Sequence, residues 1–75
     1  MKVSTVRNMI VDTQYLIVIH DAYYNYCEFI QFDYSESIDK YQENLKKIDA
    51  HPNAKVNFIQ YNKAMGMLEI DCLDK

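Results

Sequence analysis

Two histidines, two cysteines and eleven carboxylates are the side chains of this 75-residue chain suited to acid–base, nucleophilic or metal chemistry. A nucleophile needs Ser, Thr or Cys beside a histidine that is itself oriented. His20 lies next to Asp21, which would make a base pair of the right types, but a histidine at a strand end beside a turn acid ordinarily has a structural role. His51 precedes Pro52 and belongs to no motif. Zinc sites gather their ligands in short pairs, whereas Cys27, Cys72, His20 and His51 are widely separated or fall on different elements. A single glycine, Gly66, rules out a glycine-rich phosphate cradle. The expectation is a non-enzymatic chain with no catalytic residue, no cofactor and no metal.

The elements that must position any other site follow from periodicity. Ser4 to Val11 has apolar residues at Val6, Met9 and Ile10, spaced for a short helix with Ser4 as its cap. Tyr15 to His20 is β-branched and apolar on both parities, as a central strand requires. The turn formers Asp21 and Asn25 then lead to a second, aromatic strand over 26–34, giving a hairpin. Alternation fails in that strand, with Cys27 and Phe29 on one parity and Ile30 and Phe32 on the other; a bulge or two half-buried faces would each explain it.

Ser35 or Ser37 caps a helix over 36–50, in which Ile38, Tyr41, Leu45 and Ile48 form one apolar stripe. Acids in its first turn and Lys46 and Lys47 in its last suit the helix dipole, and Pro52 ends it. Ala54 to Tyr61 is a third strand, with Val56 and Phe58 on one face. After the turn at Gly66, the strand 67–73 alternates Leu68, Ile70 and Cys72 against a wet face of Met67, Glu69 and Asp71. The expected fold is α+β: one domain over 1–75, a mostly antiparallel four-stranded sheet with one main helix packed on one face and a short N-terminal helix.

No run of apolar residues is long enough to cross a bilayer, and the opening residues lack a signal-peptide core, so a cytoplasmic location is expected. Cys27 and Cys72 sit among apolar neighbours, as buried free thiols do. So small a core leaves room for stabilisation by a second copy.

Charge is unevenly laid out. Residues 8–39 carry six acids and no Lys or Arg, and hold five of the seven tyrosines. Tyrosine offers a large contact area at low entropic cost and is enriched at interface cores. The expected partner-binding residues are Asp21, Tyr23, Tyr24 and Tyr26 at the first turn, with Glu28, Asp33, Tyr34 and Glu36 along the same acidic stretch. Tyr15 and Tyr34 have an alternative role as strand core, and unpaired surface acids an alternative role as solubilising groups. Lys40, Lys46, Lys47, Lys55 and Lys63 form the competing surface, a phosphate-binding patch with Phe58 or Tyr61 for base stacking. A pI near 5.1 and a single arginine disfavour direct nucleic-acid binding.

The opening Met1-Lys2-Val3-Ser4-Thr5-Val6, the strand Tyr15 to His20, the aromatic strand Glu28 to Phe32 and the strand Met67 to Cys72 together resemble the small accessory proteins of bacteriophages and mobile elements. Inhibitors of bacterial defence, anti-CRISPR proteins among them, belong to that group. The resemblance implies a viral protein acting in the host cytoplasm. Three expectations result, in order: an inhibitor docking its acidic, tyrosine-rich surface on a basic nucleic-acid-binding host protein; a self-assembling accessory module, such as a homodimer; and a nucleic-acid-binding regulator using 40–63. No membrane partner is expected.

Overall fold

The structure, a computed structural model, describes residues 1–9, 14–33 and 36–75. Its elements are α1 (Val3–Met9), β1 (Tyr15–Asp21), β2 (Tyr26–Phe32), α2 (Ile38–Asp49), β3 (Lys55–Asn62) and β4 (Met67–Asp74). The α+β class is as expected from the sequence, as are the hairpins β1–β2 and β3–β4. The sheet is mixed, in the order β2-β1-β4-β3, because the two hairpins meet through a parallel pairing of β1 with β4.

That order explains why β1 is apolar on both parities. It is flanked on both sides, and Tyr15 through Ile19 are all buried. Tyr15, Ile17 and Ile19 lie opposite Phe32, Ile30 and Glu28 on β2, and opposite Leu68, Ile70 and Cys72 on β4. Val3 and Val6 of α1, Ile48 of α2 and Ala54 pack into one core with the buried members of this set. The tyrosine ring of Tyr15 stacks on Phe32 at 4.8 Å, and burial pushes its hydroxyl up to about 12. On the opposite side of the sheet, Leu16, Val18 and His20 line up with Gln31, Phe29 and Tyr26 and with Glu69, Asp71 and Leu73.

Helix α2 starts where Ser37 Oγ accepts the Lys40 N–H at 3.2 Å, satisfying one of the free donors of its first turn. The expected apolar stripe is displaced: Ile38 is 74 % exposed, while Asn44 is buried beside Ile48. The reason is a polar one. Strand β2 is a sheet edge, and Asn44 Nδ2 donates to the Gln31 carbonyl at 3.0 Å and to Glu36 Oε2 at 3.3 Å. A carbonyl at the sheet edge thus finds a donor on the helix. Tyr41 meets Phe32 edge-on at 6.1 Å.

Three further expectations are corrected. The first helix covers Val3–Met9 rather than Ser4–Val11; Ile10 and Val11 lie outside the described residues. The failed alternation of β2 has two sources. In the regular part of the ladder Phe29 lies opposite Val18, on the other side of the sheet from the buried Ile30 and Phe32. A bulge where the register shifts between Ile19 and His20 leaves Cys27 without an opposite residue and exposed rather than buried. A second shift between Val56 and Phe58 puts those two residues on opposite sides of the sheet, Val56 facing Cys72 and Phe58 facing Asp71. Asn62 Oδ1 accepts the Met65 N–H in the β3–β4 turn, where Gly66 takes the left-handed φ of 69°. Residues 1–3 run along the start of β3, with Val3 N–H donating to Ala54 and Val56 N–H to Met1. Among the described residues no helix is long and apolar enough to cross a membrane.

The two thiols therefore differ. Cys72 is buried and pushed up to about 11 by burial, with the Asp71 carboxylate adding to the effect, whereas Cys27 is open to solvent. A maleimide at neutral pH should label one thiol per native chain, at Cys27, and both only in denaturant, as read by mass spectrometry; reductant should leave the Tm unchanged.

Candidate functional site

The turn after β1 is built by one carboxylate. Asp21 Oδ1 accepts the N–H groups of Tyr23 at 2.8 Å and Asn25 at 2.9 Å, while the Tyr24 N–H donates to the Asp21 carbonyl at 3.0 Å. The Asn25 and Tyr23 hydrogen bonds hold the Asp21 carboxyl below its ordinary range. They also fix Tyr24 at φ 62°, a left-handed backbone that a bulky residue seldom adopts unaided.

The fixed turn displays three rings. Tyr23 is 85 % exposed, Tyr24 62 % and Tyr26 61 %. Tyr24 and Tyr26 both lean on His20, with ring centroids at 6.2 and 6.4 Å, and Asn57 of β3 reaches the Tyr24 hydroxyl at 3.5 Å. A neighbouring histidine thus limits where two of the tyrosines can point, a role for His20 that its chain position alone did not reveal.

The other expected site residues are not gathered there. Glu28 lies opposite Ile19, on the core-side register, and is half-buried. Asp33 and Glu36 sit beyond the far end of β2, a strand length of roughly 20 Å from the turn. There the Glu36 N–H donates to the Asp33 carbonyl, and burial raises the Glu36 carboxyl above its usual value. Both line a shallow groove with Phe29, Gln31, Lys40, Asn44 and Lys47, so this end is mixed in charge rather than acidic. Tyr34 lies outside the described residues. The lysines are dispersed as well: Lys55 lines a second shallow groove with Asn53, Asn57, Leu73 and Lys75, away from Lys40 and Lys47. His51 is half-buried, its Nδ1 at 2.6 Å from Asp74 Oδ2.

The residue pair that sequence reasoning placed on a wet face is Glu69 and Asp71. Asp71 is only 6 % exposed, and one of its carboxylate oxygens is buried without a hydrogen-bond partner. It stands at the middle of a row across all four strands, Phe29, Val18, Asp71 and Phe58, whose outer phenylalanines are exposed. The hydrogen bond with Asp71 first, then those from Gln60 and Asn62, which donate to the two Glu69 oxygens at 2.8 and 3.0 Å, lower the Glu69 carboxyl below its ordinary value. Burial first, then the hydrogen bond with Glu69 and the Glu69 charge, pushes Asp71 up to about 7, so near neutrality the proton of the pair resides on Asp71. Two strand residues of like type at i and i+2 were a readable signal for a shared side; the burial of Asp71 was not.

Among the described residues no three His, Cys, Asp or Glu side chains gather as a metal site. No family model, curated protein or solved structure matches the chain.

The Asp71 carboxyl makes stability pH-dependent. The unfolded chain loses this proton near 3.8 and the folded chain near 7, so folding takes up a proton between those values and stability falls as pH rises through that window. Glu69 acts in the opposite sense, stabilising above 4.5 and losing that contribution as pH falls through its lowered folded value. Each pKa unit corresponds to about 1.4 kcal/mol. Asp71→Asn should therefore raise the Tm at pH 8 by several degrees and change it far less at pH 5, as followed by circular dichroism.

Proposed function

We propose that this chain is a non-enzymatic protein-binding module whose tyrosine turn docks on a basic, nucleic-acid-binding surface of a host protein, in the manner of a phage-encoded inhibitor in the host cytoplasm. The observation that carries the reading is the turn at Asp21: three tyrosines stand in solvent on a backbone fixed by two carboxylate hydrogen bonds. Exposed aromatic rings held in place lose little freedom on binding, which is the character of interface anchors.

Charge supports the same reading. The chain carries a net −3, and the stretch 8–39 contains no Lys or Arg. A net negative charge speeds encounter with a basic partner and makes it sensitive to salt, although of the named acids only Asp21 stands at the turn itself, Glu28, Asp33 and Glu36 lying elsewhere. The lysines divide between two separate grooves, Lys40 with Lys47 and Lys55 with Lys75, and the pI is near 5.1, so direct nucleic-acid binding is the weaker reading.

The anchor residues define the test. Tyr23→Ala removes a side chain that is 85 % exposed, while Asp21→Ala removes the hydrogen bonds that shape the turn. In a pull-down from nuclease-treated bacterial lysate, the unaltered chain should retain a basic nucleic-acid-binding protein at low salt and release it at high salt. Tyr23→Ala combined with Tyr26→Ala should weaken that capture by tenfold or more with a Tm change of no more than a degree or two. Asp21→Ala should lower both capture and Tm. Retention unaffected by the tyrosine substitutions would remove the turn from the interface.

A further inference from the structure

We infer that the open part of the β3 edge is a self-association surface, on which a second copy of the chain pairs its own β3 antiparallel about a two-fold axis at Gln60. This inference does not depend on the tyrosine turn.

Strand β3 is one of the two edges of the sheet. The other edge, β2, is engaged by Asn44 of α2 at the Gln31 carbonyl. On β3 the described residues that run along the edge are Met1 to Val3, and they stop at Val56. Beyond that point Phe58, Ile59 and Tyr61 are 46, 54 and 61 % exposed, with Leu68 of β4 exposed behind Tyr61. Proteins blunt such an edge with Lys, Pro or inward charges, yet Val56 through Asn62 contain no charge and no proline. The bulge at Asn57 lies at the end already lined by residues 1–3, and the register from Phe58 to Asn62 is regular.

The register of a second copy is set by parity and charge. Residues opposite one another in an antiparallel pair share a side of the sheet, so a two-fold axis must fall on a residue. An axis on Phe58 would run the second copy's 60–62 into the place held by Met1 to Val3. An axis on Ile59 sets Lys55 opposite Lys63 twice, and like charges in that position are destabilising. An axis on Tyr61 carries the ladder into the turn at 63–66.

Gln60 avoids all three. Ile59 of each copy then meets Tyr61 of the other and Phe58 meets Asn62, so the ladder ends with β3 and short of the bulge at Asn57. The rows Ile59–Ile70–Ile17–Ile30 and Tyr61–Leu68–Tyr15–Phe32, already continuous across one sheet, would join across the axis into an eight-stranded sheet.

Cysteine cross-linking reads the register directly. In a Cys27→Ser background, Gln60→Cys places two thiols directly opposite at the axis, within the roughly 4.4–6.8 Å between Cα atoms that a disulfide spans. Ile59→Cys does not, because its own copy lies two residues further along the strand, beyond about 7 Å. Mild oxidation should give a covalent dimer with Gln60→Cys and little with Ile59→Cys. Sedimentation equilibrium of the unaltered chain should give the mass of two 8.9 kDa chains, and Gln60→Lys, which opposes two like charges, should return it to one with its circular dichroism spectrum unchanged. A monomer at millimolar concentration, a dimer indifferent to Gln60→Lys, or equal cross-linking at both positions would overturn the inference.

Discussion

Everything in this fold hangs on the parallel ladder between β1 and β4. Each hairpin alone is a two-stranded ribbon with little independent stability in water. Joining them places the most apolar strand, Tyr15 to Ile19, between two neighbours and brings Ile70 and Cys72 beside Ile17 and Ile19. The same joint creates the buried carboxyl. Asp71 is enclosed because Val18 lies on one side of it and Phe58 on the other.

The sequence made the elements legible and left their assembly hidden. Local signals were sufficient for the hairpins, the Ser37 cap and the termination of α2 near Pro52, because turns and caps are satisfied by residues a few positions away. The parallel pairing was not readable, since nothing local distinguishes a strand that will lie beside a distant one in parallel. Two misreadings came from single-residue slips: the bulges at Cys27 and Asn57 each reverse the side taken by the next residues of the strand, so strict alternation misplaced Cys27 and Phe58. The third, Asn44 in place of Ile38 as a buried position of α2, reflects a polar demand of the sheet edge that a hydrophobic stripe cannot express.

The candidate site was legible in part for a similar reason. The tyrosines of the turn were identifiable by type and by their proximity to Asp21 and Asn25, and they stand exposed where the turn places them. Treating the acidic stretch as one surface was less successful, because a strand transports its far end away: Asp33 and Glu36 lie with Lys40 and Lys47, and Glu28 turns toward the core-side register. Proximity in sequence predicts a shared surface within a turn and fails along a strand.

The central ladder also determines the order in which the protein can form during synthesis. Tyr15 pairs with Leu68, so β1 waits for roughly fifty further residues before its second neighbour exists. The local hairpin β1–β2 can close within microseconds, but the long-range closure carries a loop-entropy cost and is the slow event. Until β4 has emerged from the ribosome, one edge of the most apolar strand is unpaired. A nascent chain of this protein should accordingly present a strong chaperone-binding segment at Leu16 to Ile19 and lose it abruptly, rather than gradually, once β4 is free to dock.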